Sequence, residues 1–258
     1  MKILKEIFDY RQMIYSLVRK DLRGRYKGSV LGFLWTFVNP LLQLVVYTVV
    51  FSTILRAGID KYYLFLFVAL VPWIFFQSSI TGGSSSILSQ KDLVKKIYFP
   101  REVIPISYVT SCFVNMLLTF IIIFIVVIIS GVQLNFLGVL CLPIVMLVEY
   151  ILALGFAMIV SAVTVYFRDL EHILGILTMA WLYLTPIMYS IDMVPENFRH
   201  LFIINPMTPI ITAYRDVLYY GQVPHINTLL NGFILGVVSL IVGFLVFGRL
   251  KRHFAEEL

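Results

Sequence analysis

Long apolar runs, separated by short polar or proline-containing segments, are the main pattern in this sequence. About 20 helical residues cross the roughly 30 Å hydrocarbon core of a bilayer, so each long run predicts a membrane-spanning helix. We therefore predict an all-α integral membrane protein whose transmembrane domain covers residues 30–258. Its six predicted transmembrane helices lie at about 30–55, 62–80, 104–130, 137–166, 173–191 and 226–248.

Residues 1–29 precede the first span and form an amphipathic pattern. Apolar side chains recur at helical spacing from Ile3 to Leu17, while polar side chains occupy the opposite side. This pattern favours a helix in the membrane interface, and the alternative is a cytoplasmic helix that packs against a partner. Five cations between Arg19 and Lys27 stop just before the first span, because a charge at the bilayer centre costs about 2.5–3.5 kcal/mol.

The distribution of lysine and arginine predicts the orientation of the chain. Of these 20 residues, 16 lie in residues 1–29, in residues 81–103, at Arg168 or in the C-terminal tail. The other four lie in the intervening connections: Arg56, Lys61, Arg199 and Arg215. Basic residues accumulate on the cytoplasmic side of membrane proteins, so we predict that both termini are cytoplasmic.

The composition agrees with this class of protein. A hydrophobic share of 60%, a charged share of 13% and a mean hydropathy of +0.93 exclude a soluble globular domain. The net charge of +6 does not indicate nucleic-acid binding, because the basic residues flank apolar spans. Cys112 and Cys141 lie inside apolar runs and are interpreted as small buried side chains. We predict no signal peptide, since the first apolar run starts late and is too long.

Two connections are more elaborate than simple links. Residues 81–103 begin with glycine and serine and predict a short helical piece between Ile87 and Ile97. The connection 192–225, which we call the outer segment, contains four prolines and two apolar pieces, Phe198–Ile204 and Ile210–Tyr220. Because each piece is too short to span, we predict short re-entrant or interfacial helices there. An ordinary surface loop is the alternative.

Sequence motifs for chemistry are missing. There is no GxxxxGK[ST] for ATP, no GxSxG and no HExxH, and the histidines fall near or beyond span ends. We therefore expect no catalytic, cofactor-binding or metal site. The one acid deep in a span, Glu149, is either a functional residue or a packing device that is hydrogen-bonded to a neighbouring helix.

Aromatic residues form stripes at helical spacing on the first two spans. The stripes comprise Phe33, Phe37, Tyr47 and Phe51 on the first span, and Tyr62, Phe65, Trp73 and Phe76 on the second. Rigid amphipathic rings suit a path lined for sugars. The alternative is that the stripes face lipid or the protein core. With these rings, Glu149 completes the set of candidate path residues.

Several motifs together carry a family resemblance. They are RKDLRGRYKGSVLGFLWTFVNPLL at residues 19–42, KKIYFPREVIP, YFRDL at residues 166–170, LTPIMYS and INPMTPI, in that order. In this order they resemble ABC-2 type permeases, in particular the branch that exports lipid-linked polysaccharides such as O-antigen and teichoic acid. The resemblance covers essentially the whole chain. It implies a homodimer in the cytoplasmic membrane of a bacterium, with two separate ATPase subunits that bind ATP and Mg²⁺.

The resemblance also implies roles for particular residues. Coupling to the ATPase falls on Lys91, Asp92, Lys95, Lys96, Arg168, Asp169 and Glu171, and the outer gate on Pro195, Phe198, Pro206, Pro209, Tyr214 and Tyr219. Independently, the sequence shows no internal repeat of the kind that stand-alone carriers usually contain. Two copies about a twofold axis would supply the missing symmetry.

Two other functions are compatible with these residues. One is an ABC-2 permease for small lipophilic molecules or drugs. The other is a membrane enzyme acting on lipid-linked sugars, for which Asp169, Glu171 and His172 are the compact candidates. Activity without an ATPase partner would favour the enzyme. The FPRE segment and the aromatic content favour a transport subunit for polysaccharide.

Overall fold

The computed structural model describes residues 2–25, 27–56 and 58–257, and every regular element within these ranges is helical. In this part of the chain, five helices are long and apolar enough to cross a membrane, and one apolar helix is shorter. The long helices are Gly32–Ile54, Tyr62–Ser84, Val103–Ile129, Phe136–Tyr166 and Ile226–His253, and the shorter one is Leu170–Leu184. The prediction of an all-α membrane protein is confirmed.

The α-helices are numbered in chain order, and a π-helix at Val49–Ile54 prolongs α3. They are α1 (Lys2–Asp9), α2 (Arg11–Gly24), α3 (Trp35–Thr48), α4 (Tyr62–Ser84), α5 (Ser86–Ser89), α6 (Lys91–Lys96), α7 (Val103–Ile129), α8 (Phe136–Tyr166), α9 (Leu170–Leu184), α10 (Glu196–Ile204), α11 (Met207–Leu218), α12 (Ile226–Leu250) and α13 (Phe254–Glu257).

The bounds of the fifth predicted span, 173–191, differ most from those of the observed helix, Leu170–Leu184. Helix α9 has 15 residues, a rise of about 22 Å. It ends because Pro186 follows Thr185, and a residue before proline is driven out of the helical region. Thr185 accordingly has φ −107° and ψ 136°. After it, Ile187 lies in a turn and Met188 in a bend, and both side chains are buried.

Helix α4 is the centre of the bundle. It is apolar on all sides, as expected of a buried helix, and is the most deeply buried of the five long helices. Helices α3, α7, α8, α9 and α11 all pack against it. The amino-acid pattern therefore builds the core around the second span.

Of the described helices, α8 and α12 pack together most extensively. Gly155 and Gly243 face each other, and a Cβ atom added to Gly243 would lie 2.5 Å from the carbonyl oxygen of Gly155. Small residues allow backbones to approach in this way, which increases van der Waals contact between helices in a membrane. The pair anchors the last span to the core.

The N-terminal region, predicted as one amphipathic helix, consists of α1 and α2 with a break at Tyr10. The apolar side of α2 packs against α7. Arg25, just after α2, bonds to Asp21 at 2.9 Å and to the Ser111 hydroxyl at 3.1 Å. The cation that ends the helix is therefore an anchor to the third span, a role that its sequence position did not reveal.

Long-range hydrogen bonds sort the connections into two ends. At one end, Tyr166 donates to the carbonyl of Leu250 at 2.8 Å, and Lys251 pairs with Glu102. We call this the basic end; it holds α6, residues 97–101, residues 167–169 and the C-terminal tail. At the opposite end, Lys61 donates to the Ser130 carbonyl at 2.7 Å, beside the outer segment.

Candidate functional site

The predicted coupling residues form a charged surface at the basic end. All seven are exposed: Lys91, Asp92, Lys95, Lys96, Arg168, Asp169 and Glu171. The first four lie on or at the start of the short helix α6, and Arg168 and Asp169 occupy the turn between α8 and α9. We call these seven residues the coupling surface. Its exposure leaves it free to contact a partner, and its role in coupling stays a prediction.

A cationic basin of about 760 Å³ adjoins α6. Five cations line it: Lys95, Lys96, Arg101, Lys251 and Arg252. Arg101 also donates a hydrogen bond to the carbonyl of Lys251, which ties the FPRE motif to the C-terminal tail. The basin thus brings together basic residues that are about 150 positions apart in the sequence.

The candidate path residues of the first span lie at its surface. Phe33 is 50% exposed, and Phe37, Tyr47 and Phe51 are half-buried. Phe51 belongs to the π-helix, an irregularity often found at functional sites. That the aromatic stripe of the first span lines a substrate path stays a prediction.

The candidate path residues of the second span are in the core instead. Tyr62, Phe65, Trp73 and Phe76 are each at most 3% exposed. Phe76 packs against Phe156 and Trp181 of neighbouring helices, and Trp73 packs against Trp181. For these four rings the structure favours packing within one chain, the alternative that the sequence left open.

Glu149 is fully buried and links two helices. Its Oε2 accepts a hydrogen bond from the Tyr214 hydroxyl at 2.7 Å, which joins α8 to α11. Its Oε1 has no hydrogen-bond partner among the described residues. The arrangement favours the packing interpretation of this intramembrane acid, and it also fixes Tyr214, a predicted gate residue.

The outer segment consists of two short helices, α10 and α11, close to the predicted apolar pieces. Pro195 and Pro206 directly precede them, and Pro209 lies in the first turn of α11. Helix α11 is packed against α4, α8 and α12, whereas Phe198 on α10 is 57% exposed. Tyr219, after α11, donates to the Asp60 carbonyl at 2.6 Å. Among the predicted gate residues, Pro209 and Tyr214 are buried, Pro206 and Tyr219 are half-buried, and Pro195 and Phe198 are exposed.

Arg215 fastens α11 to the core, and the sequence analysis did not select it. It is 6% exposed, lies 3.5 Å over the Phe65 ring, and donates to the carbonyls of Pro186 and Ile187 at 2.5 and 2.6 Å. A third, longer bond reaches the Phe65 carbonyl. Burial lowers the pKa of Arg215 to about 9, so it stays charged at neutral pH. Its position in the sequence was a clue to this role, because a cation in the outer segment runs against the positive-inside pattern.

Asn205 joins α9 to the outer segment. Its Oδ1 accepts from Trp181 Nε1 and from the backbone N–H of Met207, each at 3.0 Å. Its Nδ2 donates to the Leu184 carbonyl at 3.0 Å and to the Thr185 hydroxyl at 2.9 Å. The side-chain amide of Asn205 thus makes four hydrogen bonds. These bonds explain why the INPMTPI motif has an asparagine at this position.

Replacing Asn205 with alanine is expected to lower the free energy of unfolding by about 2–3 kcal/mol, because four groups lose a partner in bonds that are buried or partly buried. The matched control is Asn135→Ala, which removes one exposed bond to the N–H of Leu137 and should cost about 1 kcal/mol. Denaturation of the purified protein in detergent measures both. Equal losses for the two variants would contradict the role assigned to Asn205.

The fold and these sites define a multi-pass membrane protein with an exposed charged surface at one end and a fastened outer segment at the other. The chain belongs to the ABC-2 type transporter family, whose sequence pattern matches residues 12–219. The resemblance drawn from the five motifs is confirmed.

Individual relatives are similar over nearly their whole length. The O-antigen export system permease protein RfbA of Myxococcus xanthus is 34% identical, with 100% of both chains covered. One from Klebsiella pneumoniae is 35% identical over 95% of each chain. The polysialic acid transport protein KpsM of Escherichia coli is 20% identical over 91% of this chain and 92% of its own. The chain is therefore a transport subunit, and the membrane-enzyme alternative is set aside.

Proposed function

We propose that this chain is the permease subunit of an ATP-driven exporter that moves a lipid-linked polysaccharide, of O-antigen or teichoic-acid type, across the cytoplasmic membrane of a bacterium. The observation that carries the proposal is the full-length similarity to an O-antigen export permease. In this proposal both termini are cytoplasmic, which agrees with the concentration of lysine and arginine at the basic end.

Energy is proposed to enter through the coupling surface. The sequence contains no P-loop, so ATP and Mg²⁺ are bound by two separate ATP-binding-cassette subunits. In this proposal the ATPase subunits contact the exposed charged residues of α6 and the exposed turn at residues 167–169, at the basic end. The adjoining cationic basin suits an acidic partner surface, because opposite charges steer association and fix its register.

A homodimer is proposed to form the path. A polysaccharide longer than the membrane is thick must be threaded, which requires a continuous path and weak contacts. A single chain fills its own core with α4, whereas α3 and α9 expose apolar side chains. These include Leu42, Val45 and Val46 on α3, Val49 at the start of the π-helix that prolongs it, and Ile176, Leu177, Met179 and Tyr183 on α9. A second copy about a twofold axis would enclose a path between such surfaces.

Deletion of the gene in its own bacterium tests this function. Surface polysaccharide should fall sharply and lipid-linked glycan should accumulate in the cytoplasmic leaflet, since synthesis continues without export. Re-expression of the chain should restore both. Normal surface polysaccharide in the deletion strain, with altered resistance to lipophilic compounds instead, would support the small-molecule permease.

The path itself is tested by alanine at Tyr47 and Phe51. We expect this double variant to lower export several-fold without affecting assembly with the ATPase, because stacking surface for sugars is lost. The control is Phe65→Ala and Phe76→Ala, which should primarily destabilise the fold, since both rings are in the core. Normal export by the Tyr47 and Phe51 variant would show that this stripe is packing.

A further inference from the structure

A groove of about 650 Å³ lies between α2 and α7, beside the start of the first span. Two rows of side chains line it: Ile14, Val18 and Leu22 from α2, and Thr110, Val114 and Leu118 from α7. Each row repeats every four residues and so follows one face of its helix. The rows make an elongated, mainly apolar trough at the edge of the bundle, and Phe33 also lines it.

The rim of this groove carries unpaired positive charge. Arg19 and Arg23 line it one turn apart on α2, and both are exposed. Among the described residues, no carboxylate forms a salt bridge with either of them. Two nearby arginines are engaged instead: Arg25 pairs with Asp21, and Arg11 lies 4.8 Å over the Phe8 ring. Two free guanidinium groups therefore stand directly beside an apolar trough.

We propose that this groove is a binding site for one anionic phospholipid of the surrounding bilayer. Its acyl chain lies between α2 and α7, and its phosphate is held by Arg19 and Arg23. An apolar trough alone would accept any lipid, but guanidinium groups bind phosphate through charge-assisted, often paired hydrogen bonds. The lipid would fasten α2 to α7 along the length that Arg25 does not reach. The site is independent of which substrate the protein exports.

The full-length protein, purified in mild detergent, tests the headgroup part of this proposal. We expect native mass spectrometry to show dioleoyl phosphatidylglycerol retained in preference to dioleoyl phosphatidylcholine. The double variant Arg19→Gln, Arg23→Gln should bind phosphatidylglycerol roughly 25-fold more weakly, at about fivefold for each basic residue near an anionic lipid surface. The control Lys5→Gln, Arg249→Gln removes two exposed cations outside both the groove and the cationic basin and should retain wild-type affinity.

A second pair of variants tests the groove. Val114→Trp fills the trough and should lower the affinity for both lipids at least tenfold, with a normal gel-filtration profile. Its control, Val238→Trp, places the same bulk on the exposed face of α12 and should leave binding unchanged. The proposal is overturned if Val114→Trp binds phosphatidylglycerol normally, if the two double charge variants bind it alike, or if glycerol 1-phosphate competes as well as the intact lipid.

Discussion

Replacing Arg215 with leucine is expected to destabilise the protein by about 3 kcal/mol, because the carbonyls of Phe65, Pro186 and Ile187 then lose their donor in a buried site. In a chain of this size, that corresponds to a fall in Tm of roughly 6–12 °C. Since Arg215 fastens α11 between α4 and the segment after α9, its loss should also loosen the outer segment. Liposomes containing the variant should then leak ions.

The control for Arg215 is a second arginine in the same segment. Arg199 is exposed and makes one bond of 3.3 Å to the Val194 carbonyl, so Arg199→Leu should change stability by less than about 0.5 kcal/mol. Arg215→Lys should be intermediate, because a single ammonium cannot reproduce the forked guanidinium bonds. If Arg215→Leu has the wild-type Tm and no leak, then α11 is held by apolar packing alone.

Reversing the charge of Asp169 is expected to lower export at least tenfold while ATP hydrolysis continues. The residue lies in the exposed turn before α9, on the coupling surface. A lysine there would repel a cationic partner group and would cost at most about 1 kcal/mol at the helix N-terminus. The fold should therefore be retained. Reconstituted complex with the ATPase allows transport and hydrolysis to be measured side by side.

The control for this charge reversal lies at the opposite end of the bundle. Asp60→Lys makes the same change at an exposed residue, beside Tyr219 and away from the coupling surface, and should export normally. Asp169→Asn should fall between wild type and Asp169→Lys, because it removes attraction without adding repulsion. Wild-type export by Asp169→Lys, with normal assembly, would remove this turn from the coupling surface.

The burial and the contacts of individual side chains could not be predicted from the sequence. The aromatic stripes of the first two spans have the same spacing, yet Phe33 is half exposed and Phe76 is fully buried. Helical spacing shows which residues share a face, but not what covers that face. Similarly, Arg19, Arg23 and Arg25 form one basic run, and only Arg25 anchors to α7.

The number and order of apolar helices, the class of protein and the family could be predicted from the sequence. These features depend on the local cost of placing backbone and charge in hydrocarbon, which a short stretch of residues determines by itself. The early end of α9 could also have been predicted from the sequence, because Pro186 disfavours a helical conformation in the residue before it.

Only the tertiary structure decided which polar residues fasten the outer segment and which of the described cations lack a salt-bridge partner. Arg215 meets the carbonyl of Phe65 across 150 positions, and Glu149 meets Tyr214 across 65. Such pairs form only when separate helices pack, and a buried donor or acceptor then needs a partner from whichever helix is adjacent. No local sequence pattern specifies that neighbour. The hydrogen bonds of Arg215 and the groove between α2 and α7 can therefore be recognised only in the folded structure.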